Sequence, residues 1–134
     1  MNTVMRRATG LRERSSVLDV RGEIDTSTAD EFREELFKAL KLDDARLIVR
    51  LKHVPFMDSS GIAVVLEAVK ESRKRKKTLI LLEPSQAVTR ALGIVDVGTL
   101  VKICETVDSC AECMEESLET VRTSVLTPEE AASV

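Results

Sequence analysis

Tryptophan and tyrosine are absent, and aromatic residues make up only 2% of the 134 residues. This argues against the aromatic platform on which proteins stack single-stranded nucleic acid. There is one histidine and there are three cysteines. A zinc site needs about four ligands, so Cys104, Cys110, Cys113 and His53 would have to supply the whole set. His53 comes from a different end of the chain, which makes a site within one molecule improbable. No stretch reaches the roughly 20 apolar residues that span a bilayer. The first residues carry Arg6, Arg7, Arg12 and Arg14 without the apolar core of a signal peptide. No membrane insertion is expected, and the expected location is the cytoplasm, where thiols stay reduced. A formal net charge of −3 argues against a general polyanion binder, so no direct nucleic-acid contact is expected.

What is present suits a soluble globular protein, with 43% hydrophobic and 32% charged residues. A chain of this length fits one domain that buries about two-thirds of its unfolded surface. Residues 1–122 are expected to form that domain, with 123–134 as a flexible tail. No internal repeat and no low-complexity segment is visible.

Val17 to Gly22 reads as a strand, and Thr3 to Thr9 can pair with it across Gly10 as a hairpin. Thr28 and Glu31 match a capping box, with Phe32, Leu36, Ala39 and Leu40 following on one helical face. Arg46 to Leu51 is a nearly continuous β-branched apolar run, as in a buried parallel strand. A helix over 60–74 places Ile62, Val65, Leu66 and Val69 inward, and Thr78 to Leu82 is a further strand. Ser85 is expected to cap a short helix that Gly93 stops. Leu100 to Ile103 reads as an edge strand, and Asp108 or Ser109 as the cap of a last helix carrying Met114, Leu118 and Val121. The expected fold class is α/β: a mixed four- to five-stranded sheet, parallel in its centre, with an antiparallel N-terminal hairpin and about four helices.

The informative segment is Val54-Pro55-Phe56-Met57-Asp58-Ser59-Ser60-Gly61-Ile62. It joins a buried strand to a helix whose first backbone N–H groups need partners, and Asp and Ser are the side chains that supply them. Capping alone would account for one such residue. Three polar residues in a row, outside the carboxyl end of a parallel sheet, also fit a place where α/β folds make ligand contacts.

Gly22-Glu23-Ile24-Asp25, followed by Phe56-Met57-Asp58-Ser59-Ser60-Gly61, closely resembles the bacterial anti-sigma factor antagonists of the STAS domain family. The likeness runs from about Val17 to Ile103 and takes in the Pro84-Ser85 turn. The resemblance implies a partner-switching protein that is not itself an enzyme. Its unphosphorylated form would bind an anti-sigma factor that is also a serine kinase and so release the sigma factor. The kinase would then phosphorylate the first serine of the motif, here Ser59, and a phosphatase would reverse the step. Asp58, Ser60 and Gly61 would shape the acceptor turn, Asp25 would share the binding face, and Met57 and Ile62 would offer apolar contact. No cofactor, metal or nucleotide on the protein itself is implied, and a homodimer is left open.

Other constellations carry less. Ser59 with His53 lacks the Gly-x-Ser-x-Gly elbow of a hydrolase. Cys110-Ala111-Glu112-Cys113 places two thiols at i and i+3, and a redox-responsive dimer is one alternative reading of the chain. Another is a STAS subunit of a membrane transport or lipid-trafficking assembly. The run Arg73 to Lys77 reads as a solvated helix end that complements the helix dipole.

Overall fold

The computed structural model of the chain describes residues 1–9, 14–110 and 124–126. Two antiparallel strands, β1 (Asn2–Thr9) and β2 (Arg14–Arg21), open the chain. Then follow α1 (Ala29–Leu40), β3 (Arg46–His53), α2 (Ser59–Lys74), β4 (Thr78–Leu82), α3 (Gln86–Ile94), a 3-10 turn (Val97–Thr99) and β5 (Lys102–Cys104). A short strand, β6 (Ser124–Leu126), returns to pair with β1. The sheet order is β5-β4-β3-β2-β1-β6, and β2 through β5 run parallel. Parallel neighbours need long crossovers, which α1, α2 and the α3 segment provide.

Alternation along the strands divides the side chains between two faces. Leu18, Val20, Leu47, Val49, Leu79 and Leu81 share one core with Phe32, Leu36 and Leu40 of α1 and Val64, Val65 and Ala68 of α2. On the other face, Ile48, Ile80, Leu82, Cys104 and Cys110 form a second buried cluster. Both described cysteines are therefore small buried core residues, and neither forms a disulfide among the described residues. Beside that cluster the fully buried Asp19 carboxylate lies 3.4 Å from Arg21 and 3.6 Å from Arg50.

The mixed sheet and the N-terminal hairpin match the expected fold class, with differences in detail. The described residues hold three α-helices where about four were expected, and the sheet has six strands. The expected last helix, with Met114, Leu118, Val121 and the nearby Cys113, lies outside the described residues; Thr106 and Ser109 close a tight turn just before it. Strand β6 falls within the stretch assigned from sequence to a tail. Thr28 stands at the N-cap of α1 but makes no capping bond. Its hydroxyl donates instead to the Glu23 carbonyl and accepts from the Asp25 N–H, both at 3.0 Å. Gly93 does not stop α3, because it keeps helical backbone inside it; the break comes at Asp96, in the left-handed region at φ 55°. Leu100 is exposed after the 3-10 turn, and β5 starts two residues later. The basic run is held at the end of α2: Arg73 donates to the Leu100 carbonyl, Arg75 pairs with Glu71, and Lys77 donates to the Leu42 carbonyl.

Candidate functional site

The site is built at the carboxyl ends of β2 and β3. The loops that leave the two strands are joined by backbone hydrogen bonds: Gly22 N–H to His53 O, Ile24 N–H to Phe56 O, and Asp58 N–H to Ile24 O, at 3.0, 2.9 and 3.1 Å. His53 is the exposed last residue of β3. Gly22 has φ +106°, a backbone state that side chains with a Cβ rarely adopt. The two junctions therefore meet as one unit, with Ile24 and Met57 bridged at its centre.

Asp58 is the N-cap of α2. Its Oδ1 accepts the Ser60 N–H at 2.9 Å and is also bonded by the Ser60 hydroxyl. The Ser60 hydroxyl, helped by the Ser60 and Gly61 N–H groups, holds the Asp58 carboxyl below the usual carboxylate range, against opposing pushes from burial and from Asp25. Asp25 is lowered in the same way, first by the Ser27 hydroxyl at 2.7 Å and then by the Ser27 N–H at 2.9 Å. Both carboxylates are thus ionised at neutral pH, and they sense one another.

The adjacent serines have different circumstances. Ser60 is half-buried and tied to Asp58, whereas Ser59 is exposed and its hydroxyl makes no hydrogen bond among the described residues. Gly61 is required by a close approach. A Cβ there would stand 2.6 Å from Met57 Cγ and 2.7 Å from Ile24 Cγ2.

Ser59 opens onto a groove of about 380 Å³ between α2 and α3. Ile62, Ala63 and Leu66 form the α2 wall, and Ala91, Ile94 and Val95 form the opposite wall. Met57, Asp58 and Ser59 close the end nearest the sheet. Phe56, 46% exposed, lies in the loop before the hydroxyl. Ile94 is 86% exposed and Val95 45%, so apolar surface lines the groove onto which the hydroxyl opens. Burial of that surface by a partner would favour association.

The structure brings Asp25, Met57, Asp58, Ser59, Ser60, Gly61 and Ile62 into one corner of the molecule. Their exposure is unequal: Met57, Gly61 and Ile62 are buried, so they shape the surface more than they form it. Sequence reasoning gave no role to Phe56, Ile94 or Val95. The signal was present for two of them, as an apolar pair directly after the glycine taken for a stop. No three His, Cys, Asp or Glu residues gather as a metal site among the described residues, and no described helix is long and apolar enough to cross a membrane.

This architecture, an antiparallel hairpin feeding a parallel sheet with a serine-bearing helix start at its rim, defines the class. Residues 6–110 match the STAS domain, and the chain belongs to that family. Among relatives, it is 32% identical over 84 residues to the anti-sigma-B factor antagonist of Listeria monocytogenes, covering 63% of this chain and 74% of that one. The anti-sigma factor antagonist SpoIIAA in its unphosphorylated form superposes with TM-score 0.59 at 24% identity, over 88% of this chain and 96% of that one. The Bacillus cell fate determinant SpoIIAA in its phosphorylated form gives 0.54 at 24% identity, over 74% and 89%. At that identity the two structures speak for the fold.

Proposed function

We propose that this protein is an anti-sigma factor antagonist of the bacterial cytoplasm, switched by phosphorylation of Ser59. The unphosphorylated form binds an anti-sigma factor that is also a serine kinase, and the sigma factor is released. One observation carries the reading: of two neighbouring serines at the start of α2, Ser59 alone offers a free, exposed hydroxyl, and it does so beside an apolar groove. The relative named for anti-sigma-B antagonism and the fold shared with SpoIIAA in both phosphorylation states support it.

The chemical step belongs to the partner, and the protein acts as binding module and substrate. The kinase transfers the γ-phosphoryl group of ATP to Ser59 Oγ; an O–P bond forms, ADP leaves and the hydroxyl proton passes to a base on the kinase. A phosphatase hydrolyses the ester with water and restores the hydroxyl. The new group adds about −1.5 to −2 charges at neutral pH. Repulsion from a carboxylate at about 5 Å is on the order of 1–5 kcal/mol in a partly screened setting. The helix N-terminus returns only about 0.3–1 kcal/mol. The fold tolerates that balance, while an interface closed over Ser59 must bury a hydrated dianion and weakens roughly tenfold to a thousandfold.

Titration of an anti-sigma kinase with the variants tests this. Ser59→Ala should bind as tightly as the unphosphorylated protein and stay bound in the presence of ATP, and Ser59→Asp should bind poorly. Equal affinity for wild type and Ser59→Asp would contradict the proposal.

A further inference from the structure

Residue Ser85 lies outside the acceptor motif, yet its hydroxyl reaches both parts of the groove. It stands at the N-cap of α3, where Oγ accepts the Val88 N–H at 3.3 Å. The same Oγ donates to the Val54 carbonyl at 2.6 Å. Val54 is the first residue beyond β3 and is fully buried; the loop it begins carries Phe56, Met57 and the Asp58 cap to Ser59. The helix that Ser85 starts carries Ala91 and Ile94 and ends at its C-cap Val95, and these three form the far wall of the groove. Among the described residues, no other hydrogen bond joins α3 or its cap to the β3–α2 loop or to α2.

A hydroxyl has one proton to give and lone pairs to receive. Here it uses both at once, so the start of α3 and the root of the acceptor loop are fixed to a single atom. Simple capping would need only the bond to Val88. The geometry points to Ser85 as a positioning residue: its hydroxyl couples α3 to the loop that presents Ser59, and thereby sets the groove beside the acceptor. The reading rests on Ser59 as the switch for its purpose, but the coupling itself is a property of the free protein.

Amide hydrogen exchange on the full chain separates the two. In Ser85→Ala, the amides of Asp58, Ser60 and Ile62 should exchange about fivefold faster, the factor implied by one net hydrogen bond. The β3–β4 ladder should keep its wild-type rates. Ser85→Thr keeps a hydroxyl at an N-cap that accepts Thr and should restore slow exchange in the loop. With a kinase that phosphorylates Ser59, Ser85→Ala should raise KM for this protein about fivefold with kcat preserved.

Unchanged loop amides in Ser85→Ala would overturn the coupling, as would a uniform rise across the sheet or failure of Ser85→Thr to restore the loop. An unchanged KM alongside faster loop exchange would overturn its role in presenting Ser59. The exchange arm needs no kinase, so it can fail while Ser59 is phosphorylated and succeed where Ser59 is not.

Discussion

The β2–α1 and β3–α2 junctions meet side by side and draw on the same small polar residues, yet they apply them to opposite ends. At β2–α1, the hydroxyl of Thr28 is turned back into its own loop, and Asp25 is occupied by Ser27. At β3–α2, Asp58 takes over capping together with Ser60, which leaves Ser59 with nothing to hold. The first junction is a closed set of hydrogen bonds; the second is closed except for one outward hydroxyl. A helix start becomes a candidate switch when its neighbours satisfy the backbone and leave a residue to spare.

Substitutions can break this comparison in graded steps. The largest effect is expected where the junctions touch. Gly61→Ala drives a methyl group into Ile24 and Met57 and should cost about 1–3 kcal/mol by overpacking, read by urea unfolding. Gly93→Ala is the control: a Cβ there meets nothing within 4 Å, and a helix interior should gain about 0.5–1 kcal/mol from the change. Next comes Asp58→Ala, which removes the cap of α2 and should cost about 0.5–2 kcal/mol. Thr28→Ala should cost about 0.5–1.5 kcal/mol, with faster amide exchange at Asp25 and an unchanged start of α1. If Thr28→Ala instead loosened the first turn of α1, the two junctions would be equivalent after all.

Acid should give the smallest effect. Both Asp25 and Asp58 have folded pKa values below the ordinary one, so the unfolded chain binds protons first as pH falls. Their contribution is complete above about pH 4, near the unfolded carboxylate value, and is lost as pH drops through the lower folded values. The thermal midpoint of Asp58→Asn should therefore fall less than that of wild type below about pH 4.

Much of this was legible from residue types alone. The β-branched run of β3, the inward face of α1, Ile62, Val65 and Val69 of α2, and an Asp or Ser cap at the start of α2 follow from local pattern, and the structure has them. Leu66, expected inward, is half-buried on the groove wall. What escaped was decided by tertiary contacts. Thr28 fits a capping box by sequence, but the folded loop offers its hydroxyl two better-placed partners. Gly93 looks like a stop, yet α3 runs on to Ile94 and carries that side chain to the surface. No local signal places Ser85 against Val54, 31 residues away, because only the parallel pairing of β3 with β4 brings the two loops together.

The central claim concerns which hydroxyl takes the phosphoryl group. Incubation of the full chain with an anti-sigma serine kinase and ATP, followed by mass-spectrometric location of the phosphate, tests it most directly. A phosphate on Ser59 that disappears in Ser59→Ala and persists in Ser60→Ala is the predicted result. Phosphate on Ser60 or elsewhere, with Ser59 unmodified, would contradict it.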